Sequence, residues 1–308
     1  MDLLDDVLDT LDLRGVLYFR TDFAGPWAVT VPEAPEAARF HLVLQGQCVV
    51  AVSGGPTLTL GPGDLAMVPR GRSHVLADRA GRAPTALETV LKDAGYSGRG
   101  VLALGDGDPT ASTQMVCGHY NFRDRARHPL LDALPDHILI TAATRLKTPW
   151  LDELLRMMAQ RALSDTLGSA TSVKRLSEIV FAEVVRAGLA QSDDLARVMA
   201  GLQDPQIGRA LAAIHAAPEE PWTVASLAAA VGMSRSSFAE RFRELMGVAP
   251  LAYVTDWRIQ RALKLLSDPR LSVQQVAGLV GYQSAAAFSR AFTAKLGVSP
   301  SEYRSSGA

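Results

Sequence analysis

Ten residues near the end of the chain have the types and the spacing that could contact the bases and phosphates of DNA. They fall on the polar side of two short segments whose opposite side carries phenylalanine and leucine at helical spacing. Positions opposite such a stripe must face outward. The candidates are Arg235, Ser236, Ala239, Glu240 and Arg243 in the first segment, and Ser284, Ala286, Ser289, Arg290 and Thr293 in the second.

The two segments belong to an internal repeat, in which LAAAVGMSRSSFAERFRELMGVAPLAY (227–253) matches VAGLVGYQSAAAFSRAFTAKLGVSPSEY (276–303). Each copy reads as a short apolar helix, a turn opened by glycine, and a second amphipathic helix, which is typical of a helix-turn-helix unit. Gly232 and Gly281 are expected to adopt positive φ, with Ser234 and Ser284 as N-caps. The predicted inward stripes are Phe238, Phe242 and Leu245, and Phe288, Phe292 and Leu296.

Equivalent positions of the two copies carry opposite charges, because Glu240 aligns with Arg290. Arginine pairs bidentately with guanine, whereas glutamate accepts from the amino group of cytosine, so the two copies cannot read the same bases. Arg290 is the stronger candidate for a base contact. Arg235 and Arg243 are predicted to hold phosphates, which fixes register without reading sequence.

Residues 250–266 (PLAYVTDWRIQRALKLL) predict one continuous amphipathic helix between the two copies. A rigid connection of that kind would place the two second helices about one turn of DNA, roughly 34 Å, apart on one face of the duplex.

Residues 222–304 resemble the DNA-binding domain of the AraC/XylS family of bacterial transcription regulators, most specifically in GYQSAAAFSRAFTAKLGVSPSEYR. The resemblance implies promoter double-stranded DNA as a ligand, frequent dimerisation, and activation through RNA polymerase. The chain departs from the family at Ser236 and Ala239, where larger side chains are common. Specificity is therefore expected to depend more on the second copy or on DNA shape.

Short strands separated by Gly/Pro turns run from Phe40 to Asp78, which indicates a small antiparallel barrel. The segments FHLVLQG and GPGDLAMVPRGRSH resemble the cupin barrel that many of these regulators carry as a sensor. The first cupin motif lacks its paired histidines and its glutamate, so that His41 and His74 remain. Two imidazoles seldom hold a metal tightly, and we expect neither a metal nor another cofactor.

Cys48 and Cys117 lie in the same domain, and together with His41 and His74 they are the candidates for sensing. Two alternatives remain open. One is a small organic effector of unknown identity in the barrel, and the other is an oxidant that acts on a cysteine, which requires an exposed thiol of lowered pKa. Buried cysteines otherwise behave as small hydrophobic residues.

Two amphipathic helices are predicted at 150–163 and 172–189, after the barrel. Their apolar stripes suit either a homodimer interface or packing against the barrel. The polar stretch 190–205 is the predicted interdomain linker.

These elements predict an α+β protein of two domains, with an N-terminal cupin-like barrel and a C-terminal all-α domain that holds two helix-turn-helix units. The expected boundaries are 1–145 for the sensor, 146–205 for the helical dimerisation and linker region, and 206–308 for the DNA-binding domain. Residues 207–308 carry 11 Lys+Arg against 7 Asp+Glu, whereas 1–206 carry 20 against 25, which suits a basic module joined to an acidic one.

The chain is therefore interpreted as a sequence-specific transcription regulator, an activator by resemblance, and not as an enzyme. Two cysteines in 308 residues, with neither a leader nor an apolar span, predict a cytoplasmic protein without membrane contact. A cupin metalloenzyme with an accessory helical domain is the alternative, weakened by the missing ligands. An architectural protein that binds DNA without sequence preference is a third class.

Overall fold

The computed structural model describes residues 3–98, 100–107, 111–162 and 166–306, which form two compact units. The barrel unit consists of the described residues of 14–121 and 134–192. The helical unit consists of residues 3–13, 122–133 and 193–306. Since each unit joins stretches that are distant in sequence, this division does not test the boundaries predicted at 145 and 205, which stay predictions.

The strands of the barrel unit form two sheets. The strands are β1 Arg14–Phe23, β2 Ala28–Val31, β3 Ala37–Gln45, β4 Cys48–Val52, β5 Thr57–Leu60, β6 Leu65–Val68, β7 His74–Ala77, β8 Thr85–Ala86, β9 Val101–Leu104, β10 Thr113–Asn121 and β11 Ile138–Ile140. In the described residues the first sheet has the order β11-β6-β3-β10-β1-β9 and the second the order β5-β4-β7-β2-β8. Neighbours are antiparallel except for the pairs β1/β9 and β2/β8.

One apolar core lies between the two sheets. Val43 of β3 and Met115 of β10 meet Val50 of β4 and Leu60 of β5 there, and all four side chains are fully buried. A barrel was predicted from the short strands and the Gly/Pro turns between them, and two sheets packed face to face over one core have that architecture. That prediction is confirmed, although the barrel also contains β1 and β2, which precede the predicted start at Phe40.

The helices of both units, as the structure describes them, are α1 Leu3–Leu11, α2 Leu87–Asp93, α3 Pro129–Ala133, α4 Ala142–Leu146, α5 Pro149–Ala162, α6 Ser169–Ala187, α7 Asp193–Gln203, α8 Ile207–Ala216, α9 Val224–Ala230, α10 Arg235–Met246, α11 Pro250–Leu266, α12 Val273–Leu279, α13 Ala285–Leu296 and α14 Pro300–Ser305. A 3-10 helix at Gly188–Gln191 follows α6. Helices α5 and α6 confirm the predicted pair, although position 163 lies outside the described residues. Among the helices that the structure describes, none is both long and apolar enough to cross a bilayer.

Most of the stretch 190–205, which was predicted to be an interdomain linker, forms the helix α7. Leu195, Val198, Met199 and Leu202 are buried along one side of this helix. They repeat at the spacing of three and four residues that lines one side of a helix. The polar residues at either end of α7 had concealed this spacing.

Candidate functional site

Both predicted turns have the expected backbone. The φ angles of Gly232 and Gly281 are +70° and +83°, in the left-handed region that glycine enters at little cost. Ser234 Oγ accepts from the amide of Ser237 at 3.2 Å, and Ser284 Oγ accepts from that of Ala287 at 3.2 Å. These bonds cap the N-termini of α10 and α13 at equivalent positions of the two copies, so both helices begin in the same way.

The inner sides of α10 and α13 are buried as predicted, with one correction. Phe238, Phe242, Phe288 and Phe292 are fully buried, and Leu296 ends the stripe of α13. On α10 the equivalent position is Met246, which is 1% exposed, whereas Leu245 is only half-buried. The constant offset of 50 between the copies leads to Met246, so Leu245 was assigned one residue too early.

The outer sides of α10 and α13 carry the ten predicted contact residues. Ala239 and Ser289 are half-buried and the other eight are exposed: Arg235, Ser236, Glu240, Arg243, Ser284, Ala286, Arg290 and Thr293. Each helix is thus covered on one side only, and two polar sides remain available. The roles of the individual residues stay predictions.

The basic side chains of the helical unit fall into two groups. In the described residues the guanidinium groups of Arg243 and Arg290 have no acidic partner and no hydrogen-bond acceptor. Several guanidinium groups away from the outer sides instead bond to groups within the unit. For example, Arg304 donates to the Leu271 carbonyl at 2.8 Å, and Arg270 bonds Asp268. Unsatisfied cations are therefore placed where a polyanion could meet them.

Arg241 lies on α10 but belongs to the second group, which sequence reasoning missed. Its Nε and Nη2 donate to Asp204 Oδ2 at 3.0 and 2.5 Å, while Oδ1 accepts from the amides of Gln206 and Ile207. Burial acts to raise the pKa of Asp204, but the bonds from Arg241 and the two amides outweigh it and hold that pKa below its usual value. Asp204 thereby joins α10 to the start of α8.

A buried chain of hydrogen bonds also holds the helical unit together. His128 Nδ1 accepts from the Leu130 amide at 3.0 Å, so its Nε2 carries the proton and donates to the Tyr253 hydroxyl at 2.9 Å. Tyr253 then donates to His215 Nε2 at 2.8 Å, which leaves the proton of His215 on Nδ1, 3.6 Å from Asp6 Oδ2. These hydrogen bonds join the 122–133 segment and α8 to α11.

Both histidines of this chain must be neutral to make these bonds. Burial lowers the pKa of His128 to about 3, and burial, with His128 and Arg261 nearby, lowers the pKa of His215 to about 3. The ring of His215 stacks on Trp257 with a centroid separation of 3.6 Å. No local pattern in the sequence links these residues, because they come from four separate stretches of the chain.

Three of the four sensing candidates meet inside the barrel. His74 Nδ1 donates to the Arg72 carbonyl at 2.9 Å, so its Nε2 accepts from His41 Nε2 at 2.8 Å. His41 Nδ1 is then left to accept a hydrogen bond from the Cys117 thiol, whose Sγ lies 3.2 Å away. Cys117, His41 and His74 therefore form one directed chain of neutral groups.

Burial sets the protonation of this chain. It lowers the pKa of His41 well below its usual value, aided by His74 and Arg39, and it lowers the pKa of His74 to about 4. Burial, with Cys48 nearby, raises the pKa of the Cys117 thiol well above its usual value. Cys48 is not part of the chain, and burial raises its pKa to about 12. Neither cysteine is a reactive thiolate in this state.

The space beside the hydrogen-bond chain of Cys117, His41 and His74 is small. A cavity of about 20 Å³, lined by Thr21, Phe23, His41 and Cys117 among others, has room for about one water-sized molecule. A direct bond between His41 and His74 does not fit the ligand set of a metal-binding cupin. The described residues contain no group of three or more His, Cys, Asp or Glu side chains that could hold a metal.

A larger groove lies on the outside of the barrel unit. Its volume is about 540 Å³, within the usual range for sites that take small organic molecules. Trp27, Arg79, Arg82 and Asp93 are among the residues that line it. Arg82 is bound to Asp78, so Arg79 is the better placed of the two arginines to meet a ligand. Sequence reasoning did not find this groove.

Comparisons with known proteins match both units. A cupin family model matches residues 2–190, and a helix-turn-helix domain model matches residues 227–306. The HTH-type transcriptional regulator AlkR of Acinetobacter baylyi is 33% identical over 306 residues, which cover 99% of each chain. An AraC-like transcription regulator of Streptomyces antibioticus is 33% identical over 99% of this chain and 98% of that protein. The crystal structure of the AdpA DNA-binding domain with a target DNA is 38% identical, covers 33% of this chain and 92% of that chain, and has a TM-score of 0.32.

Proposed function

Because this chain belongs to the AraC family of transcription regulators that carry an N-terminal cupin domain, we propose that it reads promoter DNA through the outer sides of α10 and α13. It is a sequence-specific DNA-binding regulator and not an enzyme. The observation that supports these two surfaces is their one-sided burial, with phenylalanines inside and unpaired arginines outside.

Each outer side has a different role in this proposal. Arg290 reads guanine from the major groove, and Glu240 accepts from a cytosine amino group. Arg235 and Arg243 hold phosphates and set the register. The small side chains allow close approach to the edges of the bases: Ser236, Ala239, Ser284, Ala286, Ser289 and Thr293.

Arg290→Ala is expected to lower the affinity for a selected DNA site by ~1–3 kcal/mol and to relax the preference at one base pair. Arg243→Ala is expected to weaken binding to all sequences alike and to flatten the dependence of affinity on salt, because it removes a phosphate contact. Both are measured by fluorescence anisotropy with duplexes selected from a random library by the wild-type protein, over a series of salt concentrations.

Arg270→Ala is the matched control, because Arg270 is exposed and bound to Asp268, away from the outer sides. Its affinity and salt dependence should equal those of the wild type. If Arg290→Ala weakened binding to all duplexes equally, Arg290 would contact only phosphate. Should the wild-type protein select no sequence at all, the reading of promoter DNA by these helices would be refuted.

The barrel unit is proposed to sense a small oxidant at Cys117, whose buried thiol gives up its proton to His41 only as the sulfur reacts, in place of the exposed thiol of lowered pKa that such sensing was expected from the sequence to require. The cavity beside this chain of hydrogen bonds has room for a molecule little larger than water, such as hydrogen peroxide, whereas an organic effector needs more room. In the proposed step the Cys117 sulfur attacks one peroxide oxygen, so that an S–O bond forms while the O–O bond breaks. The thiol proton passes through His41 to the departing oxygen, and Cys117 becomes a sulfenic acid.

Oxidation replaces the S–H donor of Cys117 by a longer S–O–H group, so the bond to His41 Nδ1 must rearrange within the small cavity beside it. This is the proposed signal to the DNA-binding surfaces, in the sense of a coupling free energy between two sites. The small effector remains the competing proposal, and the groove at Trp27 and Arg79 is its site.

Peroxide is expected to change the affinity of the wild-type protein for selected DNA by about fivefold or more. Cys117→Ser should abolish the response, while Cys48→Ser, the matched control, should retain it. Mass spectrometry of the treated protein should place one added oxygen on Cys117. An oxygen found elsewhere, or a modified Cys117 with unchanged affinity, would contradict oxidant sensing at this residue.

Helices α5 and α6 are proposed to form a homodimer interface. They bury an inner stripe that includes Leu151, Leu155 and Val180, yet Trp150 and Ile179 remain 61% and 46% exposed. Packing within the barrel unit therefore uses only part of their apolar surface. Activation through RNA polymerase and a cytoplasmic location complete the proposal, as the family implies.

A further inference from the structure

Arg258 lies on α11 between the two helix-turn-helix units and hydrogen-bonds the loop that leads into the first unit. Its Nε donates to the Pro218 carbonyl at 2.7 Å, and its Nη2 donates to the Glu220 carbonyl at 2.7 Å. This loop continues into Thr223, the N-cap of α9. Two bonds from one planar group fix both the position and the orientation of the loop against α11.

The same side chain also meets the turn of the second unit. The guanidinium carbon of Arg258 lies 5.8 Å from the ring centroid of Tyr282, the residue after Gly281. A Cβ atom on Gly281 would lie 2.7 Å from the Glu219 carbonyl oxygen and 2.8 Å from Arg258 Nη2. The loop before the first unit and the turn of the second unit therefore meet at Arg258.

Tyr282 carries this contact into the reading helix of the second unit. Its ring packs on Phe288, the first residue of the buried stripe of α13, with a centroid separation of 5.5 Å. Burial lowers the pKa of Arg258 and raises that of Tyr282. Because a helix can curve gently along its length, a contact beside α11 adds a second restraint on how the two units are oriented to each other.

We propose that Arg258 is a positioning residue that fixes the two helix-turn-helix units relative to each other and so sets the separation of the two half-sites that the protein accepts. The proposal rests on the proposed function, because it requires both units to lie on one duplex. Lysine cannot replace Arg258 here, since a single ammonium group cannot make the planar two-carbonyl contact and stack on the ring as well.

The test uses the full chain and a bipartite duplex selected from a random library by the wild-type protein, together with duplexes that have one base pair inserted or deleted between the half-sites. The wild type is expected to lose about tenfold or more in affinity on either change. Arg258→Ala and Arg258→Lys should lose only about threefold on those changes, while each keeps the wild-type preference within each half-site.

A structural role alone would lower the affinity for every duplex by the same factor and leave the spacing preference unchanged, which would overturn the proposal. A phosphate contact by Arg258 would likewise flatten the salt dependence without changing the spacing preference. Tyr282→Leu provides a second route, because it removes the ring and retains the arginine, and it should also relax the spacing preference. Arg270→Ala should behave as the wild type in every duplex.

The selection of a bipartite site and the spacing preference test the proposed function and the role of Arg258 separately. A wild-type protein that selects no bipartite site refutes the proposed function. A wild-type protein that selects one, combined with Arg258 variants as strict about spacing as the wild type, refutes the role of Arg258 alone.

Discussion

Lowering the pH from about 7 to about 5 is expected to reduce the free energy of unfolding of the helical unit by ~4 kcal/mol. The cause is the chain through Tyr253, in which His128 and His215 are buried and neutral. Both have a pKa of about 3 in the folded protein, against an ordinary value of 6.5. Between these values the unfolded chain binds two protons that the folded chain does not.

The sign follows from this difference in bound protons. Stability is fully present above about pH 6.5 and falls as the pH decreases, because the unfolded state is the one that gains protons. The loss continues down to the pKa of the folded histidines, at about 3. Asp6 and Arg261 are charged groups near His215. The Asp6 carboxylate lies 3.6 Å from His215 Nδ1, too far for a close bond to a charged imidazole, and Arg261 disfavours the charged form.

Hydrogen exchange of peptides from α11, measured at the two pH values and corrected for intrinsic rates, reports this loss within the helical unit. His128→Gln is the informative variant, since its amide can still donate to Tyr253 but cannot take up a proton. It should lose about half as much stability on acidification. Equal protection of α11 at both pH values in the wild type would contradict the neutral, buried assignment of these histidines.

Gly281→Ala is expected to destabilise the second helix-turn-helix unit by ~3–4 kcal/mol, whereas Gly232→Ala should cost ~1–2 kcal/mol. Both glycines have positive φ, so alanine strains the backbone at either site. Only at Gly281 does the new methyl group also overlap the Glu219 carbonyl and Arg258 Nη2. At Gly232 nothing lies within 4 Å of a built Cβ atom.

Thermal unfolding and DNA affinity, measured together, distinguish the two variants. Gly281→Ala should also lose the spacing preference attributed to Arg258, since the turn must move away from the loop at Glu219. Gly232→Ala serves as the matched control for backbone strain and should keep that preference. Equal losses of stability in the two variants would show that the contact at Glu219 adds nothing.

The sequence was most informative where chemistry and periodicity repeat. Two copies of the same pattern predicted the turns at Gly232 and Gly281, and the amphipathic periodicity of residues 250–266 predicted the whole of α11. Each of these features depends on neighbours within one or two helical turns. The error at Leu245 arose because three-residue and four-residue steps both fit an amphipathic stripe, until the second copy is aligned strictly and Met246 is found.

Long-range features were beyond the reach of the sequence. Strand β1 (RGVLYFRTDF) interrupts apolar residues with Arg20 and Asp22, and its place between β10 and β9 is set by pairing with residues about a hundred positions away. The chain from His128 through Tyr253 to His215 is assembled in the same way. His41 and His74 were found because the cupin motifs mark them, but their direct bond and the proton from Cys117 required coordinates.

The helical unit is discontinuous in sequence, and this affects how the protein can be recombined. The polypeptide passes between the two units at 13–14, 121–122, 133–134 and 192–193. A chimera that grafts only residues 193–306 onto another sensor would leave behind α1 and the segment with His128, and Tyr253 would lose one of its two partners. A transplant that retains the native interior of this half must also carry residues 3–13 and 122–133.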